Sequence, residues 1–102
     1  DIDFRGRLIS PDPQAQMLTA HATIMATLIA GGGNSSPAGR GAAWQARIAQ
    51  SDYDNLLPDD GARLTGQGVS VQNHSYGAGI ENYYGVEARA YDQQARQYTS
   101  LL

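Results

Sequence analysis

The chain has no cysteine and no lysine, only two histidines, and no long hydrophobic run. Without cysteine there are no disulfides, no thiolate metal sites and no cysteine nucleophile. The longest fairly apolar stretch, 22–30, is far short of the roughly 20 residues a membrane-spanning helix needs. The opening, Asp1-Ile-Asp3-Phe4, lacks the basic start and apolar run of a secretion signal. Bases are scarce too. Seven arginines face ten acids, for a formal charge of -3, which argues against nucleic acid or an anionic membrane as the main partner. What remains is a globular composition, 41% apolar and 17% charged over 102 residues, the size of one small domain.

Neither end reads as a finished domain. Residues 1–10 show no helix-start signal, and 97–102 stop inside an expected helix with Leu101 and Leu102 uncapped. The expectation is an excerpt of a longer chain, incomplete at both ends. The alternative is a complete small domain with frayed termini.

Pro11-Asp12-Pro13 blocks helix at the entry. Residues 14–30 are rich in helix formers, with Leu18, Ala22, Met25 and Ile29 on one face. Gly31-Gly32-Gly33-Asn34-Ser35-Ser36-Pro37 ends that helix in a loop. Residues 42–50, with Trp44, Ala46 and Ile48, fit a buried strand, and pattern alone leaves helix open. Residues 52–68 read as loop, with a short helical turn after Pro58-Asp59-Asp60. Residues 69–76 alternate and are β-branched at Val69 and Val71, so a strand is expected. From 82 onward Tyr84, Ala88, Tyr91, Ala95 and Tyr98 recur at helical spacing, a stripe expected to face the core. This order of elements predicts an α/β layer with a parallel sheet.

Imidazole is the side chain poised nearest neutral pH, so His21 is a candidate general base. By itself a lone histidine on a helix is more often packed and satisfied. No second histidine stands three or four residues away, which excludes a zinc pair. Asn73-His74-Ser75-Tyr76-Gly77 ends the expected second strand. Such an edge pairs with an extended peptide, glycine allowing close approach, although an ordinary strand end has the same composition. Gly31-Gly32-Gly33 is no nucleotide loop, since it follows a helix and lacks the Gly-Lys-Ser/Thr ending. Asp59-Asp60, like Asp52 and Asp54, reads as solvated loop acid.

Taken together, three blocks resemble the subtilisin-like serine peptidases, the subtilases. His21-Ala-Thr-Ile-Met-Ala-Thr27, followed by Leu28-Ile-Ala-Gly31, is similar to the family's His-Gly-Thr-His-Val-Ala-Gly helix start. Gly41-Ala-Ala-Trp44 before Ala46-Arg47-Ile48 resembles the Gly-Val-Ala-Pro turn and its strand. Val71-Gln-Asn-His-Ser-Tyr-Gly77 matches valine, asparagine, serine and glycine of the family's Val-Ile-Asn-Met-Ser-Leu-Gly strand. Asp3-Phe4 with Gly6-Arg7 resembles the segment just after the catalytic aspartate. The chain departs from the family at Ala22 and Thr27, which replace glycines, at Ile24, which replaces the second histidine, and at Trp44, which replaces proline.

The resemblance implies a central part, 1–102, of a catalytic domain with a three-layer α/β fold, a mostly parallel sheet flanked by helices. It implies a serine endopeptidase with a Ser-His-Asp triad, of which only His21 lies in this chain. Ser75, Tyr76 and Gly77 take the place of the strand that pairs with substrate backbone and lines its pocket. The aspartate would precede Asp1, and the serine and oxyanion asparagine would follow Leu102. The isolated segment is expected to be inactive. Partners are a peptide or protein substrate and the rest of the domain, with no nucleic acid and no membrane span in this segment. No cofactor is required; structural calcium is an option in the full domain, with Asp3 near one ligand position. The family's habit implies an extracytoplasmic or secreted enzyme. Two alternatives stand beside it: an inactive subtilase-fold peptide-binding or assembly module, suggested by the bulk at Ala22 and Thr27, and a small self-contained interaction domain.

Overall fold

The structure, a computed structural model, describes residues 1–9, 19–51, 58–77 and 79–100. The chain divides into two compact units, Asp1–Asp52 and Tyr53–Leu102, and each is described by itself.

The first unit opens with a 3-10 turn, Ile2–Phe4, capped by the Asp1 side chain, which accepts from the Asp3 amide at 2.9 Å. That cap is a start signal the sequence reading passed over. Helix α1 spans Ala20–Ala30, so Thr19 caps it and the expected helical residues 14–18 lie outside the described residues. Thr19 Oγ1 accepts from the Ala22 amide at 3.1 Å, satisfying one of the orphan donors of the first turn. The helix ends at Gly31, as its glycine predicts. A second 3-10 turn, Pro37–Gly39, starts on a proline, whose fixed φ suits the first helical position.

Glycine lets the following segment lie directly on the end of α1. A Cβ on Gly41 would sit 2.7 Å from the backbone of Ile29, Ala30 and Gly31, and one on Gly31 would sit 2.7 Å from the carbonyls of Thr27 and Gly39. Because the backbones touch, the amides of Gly41, Ala42 and Ala43 donate to the carbonyls of Gly31, Leu28 and Ile29 at 2.9, 3.1 and 2.6 Å. These bonds cap the last turn of α1, where carbonyls otherwise lack partners.

In the second unit Asp60 caps helix α2, Gly61–Gly66, by accepting from the Ala62 amide at 2.9 Å. This is the turn predicted after Pro58. Helix α3, Val86–Gln97, packs against the start of α2. A Cβ on Gly61 would collide with the Tyr98 ring, and Gln94 Nε2 donates to the Asp59 carbonyl at 2.5 Å. Leu64 is the buried apolar side chain of this unit among the described residues.

The expected parallel sheet is overturned. The described residues form three α-helices and two 3-10 turns, with no β-strand and no sheet. In 42–50 the first amides are spent on α1 and Ala46 closes a turn onto Ala43. Only Ile48 pairs, in an isolated parallel bridge with Leu8: the Ile48 amide donates to the Arg7 carbonyl and the Ile9 amide to that of Ile48. A strand needs a ladder, and two bonds do not propagate one. In 69–76 the Val69 amide turns back to Leu64, and alternate side chains bond each other instead: Asn73 Nδ2 donates to Ser75 Oγ, and His74 bonds both Gln72 and Tyr76. The i,i+2 spacing of these bonds matches the alternation that suggested a strand, but the expected strand itself is absent among the described residues. The tyrosine stripe also sits farther out than expected. Tyr84 is 64% exposed, Ala88 and Ala95 are exposed, and Tyr91 and Tyr98 are half-buried.

Candidate active site

His21 is the second residue of α1 and lies exposed at its N-terminal turn. Thr19 holds that turn twice over. Its hydroxyl receives the Ala22 amide, and its carbonyl receives both the Thr23 amide and the Thr23 hydroxyl at 3.1 Å. The histidine therefore rides on a pinned first turn instead of a fraying one. The two bulky departures within α1 are both accommodated in this segment. Ala22 is exposed. Thr27 bonds back to the Thr23 carbonyl at 2.8 Å, and its methyl lies against Gly31, where a Cβ would come within 3.1 Å of it. A glycine one turn later makes the room that the threonine uses.

The other end of α1 is anchored by Asp3, a buried acid. Its Oδ1 accepts the amides of Asn34 at 2.7 Å and Ser35 at 3.0 Å, and its Oδ2 accepts the Ser35 hydroxyl at 2.6 Å. The hydrogen bonds from Ser35, with smaller help from Asn34 and the Arg7 charge, hold the Asp3 carboxyl below its usual value against the opposing effect of burial. Arg7 completes the clamp, donating to the Asp3 carbonyl through Nη2 and to the Ala46 carbonyl at 2.8 Å through Nη1. No group of three metal-ligating side chains occurs among the described residues. Asp3 acts as an anion in a backbone cradle.

Ser75, Tyr76 and Gly77 lie in the second unit, on the segment between α2 and α3. Ser75 is half-buried, Gly77 is exposed, and a Cβ on Gly77 would meet nothing within 4 Å. The Tyr76 ring is 39% exposed. Its hydroxyl is 2.8 Å from His74 Nδ1 and 2.7 Å from the Tyr91 hydroxyl. Thus the three predicted pairing residues share one exposed segment, while His21 belongs to the other unit.

The profile of the Subtilase family matches residues 7–101. The chain belongs to the subtilase family. No curated protein and no solved structure gives a significant match. A peptidase-related role, with protein or peptide as its substrate, goes with membership. No helix among the described residues is long and apolar enough to cross a membrane.

Sequence reasoning missed Asp3 as a clamp and Thr19 as a cap. Both were visible in kind: an acid two residues into the chain, and a threonine directly before Ala20-His21. Tyr91 was assigned to the core by periodicity, and its hydroxyl contact with Tyr76, 15 residues away, has no local signature.

Proposed function

We propose that this subtilase segment is the central part of a serine endopeptidase catalytic domain, with His21 as the general base. What supports this is family membership over 7–101 together with His21 standing in the capped first turn of α1, in the block that resembles the family's histidine motif. Imidazole takes the proton of a serine hydroxyl as its oxygen attacks the peptide carbonyl carbon. It then gives that proton to the leaving amine as the C–N bond breaks, and a water molecule releases the acyl group by the reverse sequence. The serine, the orienting aspartate and the oxyanion donor come from the rest of the domain in this reading.

Ser75, Tyr76 and Gly77 form the substrate edge. The extended register of 72–76 presents main-chain groups for pairing with a peptide, and the open space at Gly77 admits a second backbone. Tyr76 supplies an aromatic wall. An extracytoplasmic site of action, the family's habit, is part of the same proposal.

The deciding experiment uses the full-length protein. A fluorophosphonate probe should label its serine and casein should be cleaved, and His21→Ala should abolish both. Failure of the wild-type protein to label, or labelling and cleavage unchanged by His21→Ala, sinks the reading. Retained peptide binding without turnover points to an inactive relative.

A further inference from the structure

The side chains of 72–76 do more than alternate. Gln72 Oε1 lies 3.2 Å from His74 Nε2, His74 Nδ1 lies 2.8 Å from the Tyr76 hydroxyl, and that hydroxyl lies 2.7 Å from the Tyr91 hydroxyl on α3. The donors run in one direction. A glutamine carbonyl only accepts, so His74 donates to it through Nε2–H, and in the neutral imidazole Nδ1 is then the acceptor. The Tyr76 O–H then donates to Nδ1, and the Tyr91 O–H donates to the Tyr76 oxygen. The rings agree with the hydroxyls: His74 meets Tyr76 edge-on at 5.5 Å and Tyr91 edge-on at 5.3 Å. Burial, and then the bond it donates to Tyr76, raise the Tyr91 phenol well above its ordinary value, as expected of a hydroxyl whose proton is engaged.

Tyr76 is too exposed for this chain of bonds to be explained as core packing. What the chain does is hold one exposed ring in one orientation. A tyrosine left free would lose rotamer freedom each time a peptide settled against it.

We propose that Tyr91 and His74 are positioning residues that latch the Tyr76 ring as a preset wall of the peptide-pairing segment, and so govern substrate affinity instead of turnover. The proposal rests on the peptidase reading for its substrate, and on the hydrogen-bond chain alone for the latch.

Two measurements on the full-length protein separate these. In the first, a quenched-fluorescent peptide is cleaved by wild-type, Tyr91→Phe, Tyr76→Phe and the double variant. Tyr91→Phe keeps the ring and removes one neutral hydrogen bond, so KM should rise about fivefold with kcat changed less than about twofold. If Tyr91 acts through the Tyr76 hydroxyl, the double variant should match Tyr76→Phe alone. Additive effects, or a loss confined to kcat, overturn the proposal. In the second, the Tyr91 phenol is titrated by carbon-13 NMR at Cζ. Tyr76→Phe should lower its midpoint, and an unchanged midpoint shows that no latch exists. If wild-type protein cleaves no peptide, the peptidase reading fails together with the affinity role, while the titration still decides the latch.

Discussion

The two units are held together by different means. In the first, backbone meets backbone. Gly31 and Gly41 let α1 and the following segment touch, a parallel bridge joins Leu8 to Ile48, and a buried carboxylate gathers the amides of Asn34 and Ser35. In the second, side chains do most of the joining: Tyr98 over Gly61, Gln94 on the Asp59 carbonyl, Tyr84 on Asp92, Tyr76 on Tyr91. Contacts between backbones leave no slack for a substitution. Contacts between exposed side chains can be lost one at a time. The first unit holds the proposed proton-transfer residue and the second the proposed substrate edge, so backbone packing goes with the proposed chemistry and side-chain bonding with the proposed recognition.

The comparison breaks most visibly in kinetics. His21→Ala should lower kcat by at least roughly 10⁴-fold, the scale seen when a triad member is removed, with KM little changed. Gly77→Val faces open space and should leave folding and kcat intact. It should raise KM about tenfold by obstructing one backbone hydrogen bond with the peptide. Steady-state kinetics on the full-length protein checks both. Equal losses in kcat for the two variants would erase the division of labour.

The two glycines also part in stability. A Cβ on Gly41 must displace the backbone of Ile29 to Gly31, so Gly41→Ala should destabilise by about 3 kcal/mol, as overpacking of a fixed contact does. Gly77→Ala should be close to neutral. Chemical denaturation of the full-length protein gives both values, and a mild Gly41→Ala would mean that the first unit yields more readily than its contacts imply.

The same contrast explains how far the sequence could be read. Gly31 at the end of α1 and the turn after Pro58 are local signals, and each has its structural counterpart, whereas the period-2 pattern of 69–76 has no strand to match it among the described residues. The parallel sheet failed because a strand is defined by its neighbours. Val69 and Val71 favour extended backbone, yet among the described residues no second segment pairs with them, and the amides of 41–43 are committed to the end of α1. His21 and the three residues Ser75, Tyr76 and Gly77 are candidates through motif spacing, and their roles rest on the proposed function. The Asp3 clamp spans 32 residues to Ser35, and no periodicity encodes a contact of that kind. Composition does tell α1 from α3. The first is apolar on nearly every face and leaves Ile24 and Leu28 exposed, a pattern suited to a helix surrounded by protein. The second carries Arg89, Asp92 and Arg96 along one polar side, with Glu87 on the opposite side.

Acid should find the first unit before the second. The Ser35 hydrogen bonds lower the Asp3 pKa in the folded state, so its contribution is complete above the ordinary carboxyl value of 3.8 and fades as pH falls through the lower native value. Asp3→Asn removes that dependence and should flatten the acid limb of a plot of stability against pH. An unchanged acid limb would show that the clamp holds equally well when protonated. A smaller effect is expected at Thr19. Thr19→Ala deletes the hydroxyl that caps Ala22, at a cost of about 1 kcal/mol. Because capping is local, the loss should appear as faster amide exchange in the first turn of α1.

The smallest effect tests the side-chain-bonded half of the comparison. Asp59 lies 3.5 Å from Arg63, four residues along, with both side chains about a third exposed. A pair in that setting is screened by water and salt and keeps two mobile side chains in register, so its net value is at most about 0.5 kcal/mol. The Asp59 carbonyl, which receives Gln94, belongs to the backbone and survives the change to asparagine. Asp59→Asn should therefore shift the denaturation midpoint barely at all at low salt and not measurably at 1 M salt, where screening acts over roughly 3 Å. A loss well above that ceiling, persisting in salt, would mean that the second unit depends on its charged side chains as firmly as the first depends on its glycines.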